Sequence, residues 1–249
     1  MSAVPTTQPV VEFRDLELDD SPTEEGTVSD PGLLQALRPD GALVETLRVV
    51  RARIESLDAE RRLRRVGIVA AAAAEGTTMT ALGLATALAR NGTRRVLVVE
   101  AGLRTPTIRA RLHLAAAPGL SDWLDRGGRG VLALRRIDPW GFHLLPAGTP
   151  QPQPSSLLES PRLSRLFDAL SASFEYVIVD CPPLVTTADS VLIQNLLDGF
   201  LLVVRCRRTR RQQVSQAVSR LDPERLRGVV FNDVREIFAH SQAYRDHRG

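Results

Sequence analysis

The sequence predicts an α/β fold: a central, mostly parallel sheet with helices on both faces. Three observations predict it. Short, continuous apolar runs recur between residues 66 and 232, as expected of strands buried on both sides. Segments of helical spacing alternate with these runs, the pattern of βα units. Three of the runs also end in residues suited to ligand chemistry, at the sheet edge where parallel sheets place their ligands.

The elements follow in order. Residues 1–38 carry no sustained periodicity and are expected to form an acidic, disordered leader. From Gly41 to Leu63 the spacing is helical, with Leu43, Leu47, Val50, Ile54 and Leu57 on one side. Val66–Ala74 is an apolar run read as a buried strand. Thr77–Arg90 is a helix, stopped at Asn91-Gly92. Arg95–Ala101 is a second strand, Gly119–Arg126 a short helix and Gly141–Leu145 a short strand. Pro146–Pro154 is a proline-rich loop and Ser160–Ser171 a helix. Tyr176–Asp180 is a strand stopped by Cys181-Pro182-Pro183. A helix over Asp189–Leu197, a strand over Gly199–Val204, a helix over Gln212–Leu221 and a strand over Gly228–Asn232 complete the series. The main domain is expected to span 39–235, with 236–249 as a flexible tail.

Composition narrows the functional classes. The 249 residues are 43% apolar, enough for an ordinary core, and only 4% aromatic. Residues 1–30 hold eight acids and one arginine, so a leader of −7 precedes a body of +10 within a net +3. Cys181 and Cys206 suggest a reducing compartment rather than a disulfide framework. No run of about 18 apolar residues is present. The expected location is therefore cytoplasmic. Every one of the 32 basic residues is arginine.

That last property matters at Ala70–Thr80, AAAAAEGTTMT, between a strand and a helix. A phosphate-binding loop of the form G-x-x-x-x-G-K-[ST] uses glycine for close backbone approach, helix N–H groups for the anion, lysine for charge and a hydroxyl for magnesium. Gly76 and Thr78 stand at the second glycine and the hydroxyl, and Thr77 stands where the lysine belongs. Ala74, Glu75, Gly76, Thr77, Thr78 and Met79 are therefore candidate nucleotide-binding residues. Two further strands end in carboxylates, Glu100 and Asp180. Beside such a loop these residue types suit magnesium, held directly or through water, with Thr78 and Asp180 as candidate metal ligands. The fold is thus expected to be P-loop NTPase-like.

Together these residues resemble the bacterial tyrosine kinases (BY-kinases) of capsule and exopolysaccharide assembly, relatives of the partition and division-site ATPases. The resemblance covers about residues 40–235. VETLRVVR fits an E-x-x-R-x-x-R signature at Glu45, Arg48 and Arg51, associated in that family with self-association. Val96–Pro106 is similar to the second Walker motif and Val177–Pro183 to the third. LPAGTPQPQPSSLLES, GLSDWL and GVVFN also fall where family members carry similar segments. The resemblance implies ATP or ADP with Mg2+, Asn232 as a nucleotide contact, and Glu100, Arg104 and Asp180 as the catalytic set. It also implies a homo-oligomer, a membrane-embedded chain-length or co-polymerase partner, an active kinase paralogue, and a position at the inner face of the plasma membrane. Nucleic acid is not expected as a partner.

The departures fall where catalysis would. Lysine is Thr77, a loop glycine is Ala74, and the two aspartates of the second motif are Glu100 and Gly102. Tyr176 lies in a buried run, which leaves Tyr244 as the tail phosphoacceptor. A loop lysine contributes on the order of 3–4 kcal/mol to such a transition state, as one oxyanion donor does. The expected function is a catalytically impaired regulatory or scaffolding subunit of polysaccharide assembly. Two alternatives stay open: an active kinase or ATPase using arginine, with Arg104 as candidate, and a partition-type DNA-associated module using two arginine clusters, Arg61, Arg62, Arg64 and Arg65 before the first strand and Arg205, Arg207, Arg208, Arg210 and Arg211 at a strand end.

Overall fold

The computed structural model describes residues 16–19, 31–38, 40–61, 63–90, 92–129, 132–138 and 140–234. Its strands are β1 (Leu16–Asp19), β2 (Arg65–Ala70), β3 (Val96–Glu100), β4 (Leu132–Ile137), β5 (Phe142–Leu145), β6 (Tyr176–Asp180), β7 (Gly199–Arg205) and β8 (Leu226–Asn232). They form one sheet in the order β1-β4-β5-β3-β6-β2-β7-β8. Each neighbouring pair is parallel except β4 and β5. The mostly parallel α/β architecture predicted by the sequence is the one observed.

Nine α-helices lie among the described residues: α1 (Pro31–Ala36), α2 (Ala42–Arg61), α3 (Thr77–Ala89), α4 (Ile108–Arg111), α5 (Leu120–Asp125), α6 (Ser155–Leu158), α7 (Pro161–Ser173), α8 (Asp189–Leu192) and α9 (Arg211–Val218). Successive strand residues point to opposite faces. Val66, Ile68, Val98 and Ile178 therefore pack with Leu33, Leu82 and Ile108 from α1, α3 and α4. Val69, Val99, Val177 and Val179 pack on the other face with Trp123, Leu158, Phe167 and Ala217 from α5, α6, α7 and α9. Helix α3 is buried along its length from Thr80 to Ala89 because α2 lies over it. Gly83 permits that packing, since a Cβ there would come within 2.7 Å of Leu47 Cδ1.

Three expectations need correction. Within the leader expected to lack regular structure, Leu16–Asp19 forms a strand and Pro31–Ala36 a helix. The strand has only four residues, too few to show a period, and pairs with Leu132–Arg135. The helix starts at a proline, which suits a first turn, and buries Leu33. Strand β4 was not expected because two arginines break its apolar run. Strand β2 ends at Ala70 rather than Ala74, since the chain turns there into the phosphate-type loop. The proposed tail, 236–249, and its Tyr244 lie outside the described residues.

Candidate nucleotide site

The loop after β2 has the backbone a phosphate site requires. Ala74 and Gly76 both take positive φ, 63° and 101°. Gly76 caps α3, and the first intrahelical bond runs from Thr80 N to Gly76 O at 2.9 Å. The first-turn N–H groups, at Thr77, Thr78 and Met79, lack intrahelical acceptors and face the loop mouth with the positive end of the helix dipole. Glycine is needed at 76 twice over. Its φ is left-handed, and a Cβ would meet Asn232 Nδ2 at 2.1 Å. Asn232, at the end of β8, donates to Glu75 O at 2.8 Å and so clamps the loop from outside. Glu75 is 5% exposed, and its Oε1 accepts from Thr209 Oγ1 at 2.8 Å.

Asp180 ends β6 beside β2. Its Oδ2 accepts a 2.7 Å hydrogen bond from Thr78 Oγ1. Asp180 is buried and its pKa is pushed up to about 7. Burial is the main cause and the Glu100 charge adds to it; hydrogen bonds from Thr78 and Thr77, and the Arg111 charge, pull the other way. Thr77, in the lysine's place, thus turns a neutral hydroxyl toward this carboxylate. Burial also raises the Cys181 thiol well above its usual range.

Glu100 pairs in register with Asp180 across β3 and β6, yet its carboxylate faces elsewhere. Its Oε1 accepts from Thr107 N and Ile108 N at 2.5 and 2.8 Å, and its Oε2 from Ala147 N at 3.1 Å. At 2% exposure it caps the start of α4 and pins the loop after β5. The carboxylate expected to act as base or metal partner accepts from three backbone donors in this structure. Gly102 has open space around it: a Cβ there would meet nothing within 4 Å.

Arg104, expected to be catalytic, forms a two-point ion pair with Asp189: Nε to Oδ2 at 2.8 Å and Nη2 to Oδ1 at 3.1 Å. It also donates to Pro152 O. The Asp189 side chain is 1% exposed, so the arginine is held by a buried partner. Sequence reasoning grouped a different arginine with a strand-end cluster and did not connect it to the loop. Arg205 ends β7, beside β2, and donates from Nη1 to Ala74 O at 3.3 Å. Its Nε and Nη2 reach Asp233 Oδ2 at 3.2 and 3.1 Å. Its place at the end of a buried parallel strand was the available signal, hidden among four nearby arginines.

The structure gathers Ala74, Glu75, Gly76, Thr77, Thr78, Met79, Asp180 and Asn232 at one sheet edge. Among the described residues no cluster of three or more His, Cys, Asp or Glu is placed to hold a metal. A hydroxyl and one carboxylate are what Mg2+ takes when phosphate and water complete its shell, so Thr78 and Asp180 fit that ion. Glu45, Arg48 and Arg51, the trio expected to serve self-association, lie apart on α2. Glu45 and Arg48 pair at 2.5 Å on the exposed side. Arg51 instead donates to Ala87 O of α3 at 3.1 Å and is half-buried.

Strand, turned loop, helix N-terminus and strand-end aspartate together define the P-loop NTPase-like class, and the solved kinases and partition ATPases share this fold. A scan against protein-family models finds no match. Comparison with individual proteins finds homologues. Tyrosine-protein kinase YwqD of Bacillus subtilis is 28% identical over 219 residues, 87% of this chain and 92% of that protein. A Klebsiella pneumoniae protein named as a tyrosine-protein kinase in the cps region is 27% identical over 206 residues, 81% of this chain but 28% of its own length. The kinase domain of the Escherichia coli tyrosine kinase ETK superposes with a TM-score of 0.74 at 25% identity, over 80% of this chain and 79% of that one. The chain is a homologue of the bacterial tyrosine kinases, as its motifs imply. No helix among the described residues is long and apolar enough to cross a membrane.

Proposed function

We propose that this chain is a kinase-like, nucleotide-binding subunit of polysaccharide assembly in which phosphoryl transfer is impaired. One observation carries the reading. The loop, Thr78 and Asp180 keep the geometry of a MgATP site, while Thr77, Gly102 and the engaged Glu100 remove charge and acid–base groups from it. Phosphoryl transfer depends on positioning and charge neutralisation, so binding survives such losses better than catalysis does. Thr78 and Asp180 would hold magnesium, and the N–H groups of the loop and α3 would hold phosphate.

The relatives support the cellular setting. In this reading the chain works with a membrane-embedded co-polymerase and an active, lysine-containing kinase paralogue, at the inner face of the plasma membrane. It self-associates through the exposed Glu45 and Arg48 of α2. Arg51, packed on α3, contributes to that surface by holding α2 in place. Equilibrium binding of MgATP, read beside phosphotyrosine detection on the same sample, tests the reading. Binding without tyrosine phosphorylation is the expected result.

A further inference from the structure

We infer that Arg205 supplies the positive charge that the phosphate loop lacks in its own sequence. The inference rests on the nucleotide-binding reading above and assigns one residue within it. A loop holding two or three phosphates needs a cation at the position that lysine usually fills. Thr77 brings none. Arg205 grows from the C-terminal end of β7, whose Val203 is in register with Ala70, the last residue of β2 before the loop. Its guanidinium therefore comes off the sheet at the level of the loop, and Nη1 already touches the Ala74 carbonyl at 3.3 Å.

Its present partners are exchangeable. Arg205 and Asp233 are each 28% exposed, so either charge can regain water when the pair opens. A phosphate offers arginine a stronger, two-point acceptor. Arg104 cannot serve in the same way, because leaving Asp189 would strand a carboxylate that is 1% exposed. Arg205 is also tied to the loop through its backbone. Its N–H donates to Thr209 Oγ1 at 3.0 Å, and that hydroxyl donates to Glu75. Any shift of the loop on binding phosphate is thus coupled to the strand that carries the arginine.

The test is the affinity of the full chain for MgATP by calorimetry, with thermal unfolding run on each variant. Arg205→Gln is expected to weaken binding about tenfold or more, the loss of a charged hydrogen bond. Adding Thr77→Lys to Arg205→Gln is expected to restore it, since the charge is then returned from the usual position. Unchanged affinity in Arg205→Gln overturns this inference alone. So does a loss that Thr77→Lys fails to restore, which would mark Arg205 as a mere support of the loop. Absence of MgATP binding by the wild-type chain overturns the nucleotide reading and this inference with it.

Discussion

The Thr78 hydroxyl donates to the Asp180 carboxylate at 2.7 Å, joining the first turn of α3 to the end of β6. That single bond ties the phosphate loop to the acid beside it. Burial outweighs that bond and holds the folded pKa of Asp180 at about 7, well above the usual value near 3.9.

The sign of the resulting pH effect follows directly. Below about pH 4 the carboxyl is protonated in folded and unfolded chains alike, and burial costs nothing. Between about pH 4 and 7 the unfolded chain loses the proton first, so stability falls as pH rises. Asp180→Asn removes this dependence. In the metal-free protein its melting temperature, relative to wild type, should rise from pH 4.5 to pH 8. Thermal unfolding at these two values checks it; a constant difference would contradict the buried, proton-holding Asp180.

Glu100→Gln should destabilise the fold by about 1–3 kcal/mol, because an amide nitrogen would face backbone donors in place of an acceptor. Gly102→Asp should be tolerated, since a Cβ there meets no atom within 4 Å. Urea unfolding of the two variants separates these outcomes. Equal stability in both would contradict the capping role of Glu100.

Arg104→Ala should lower stability by about 2–3 kcal/mol, leaving the Asp189 carboxylate buried without its cation. The loss is smaller than for a fully buried pair because the arginine side chain is 35% exposed. Chemical denaturation measures it. Asp189→Asn in the same background should recover part of it, since the stranded charge is then gone.

Gly76→Ala should disable the loop. A Cβ at φ 101° is strained and would collide with Asn232 Nδ2. A loss of about 1–3 kcal/mol in stability is expected, together with loss of MgATP binding. Retained binding at wild-type affinity would show that the loop takes another shape when occupied.

Local features were legible in the sequence, and distant pairings were not. Gly76, Thr78, Asp180 and the parallel sheet are visible because strand, turn and helix each leave a short-range pattern. The roles of Glu100 and Arg104 depend on partners that no local pattern reveals. Glu100 meets the N–H of Ala147, and Arg104 meets Asp189, 85 residues away. Arg205 was obscured because its neighbours Arg207 and Arg208 make the whole stretch look like a solvated turn. Only the pairing of β7 with β2 shows that the first of these arginines belongs to the loop.

The rate of ATP turnover tests the central claim most directly, measured on wild type and on the Thr77→Lys, Gly102→Asp double variant. The account predicts slow or absent turnover in wild type. It predicts a gain of roughly a hundredfold or more in the double variant, the scale of one restored electrostatic group. Wild-type turnover equal to that of the double variant would contradict it, because the missing charge and carboxylate would then not be what limits this site.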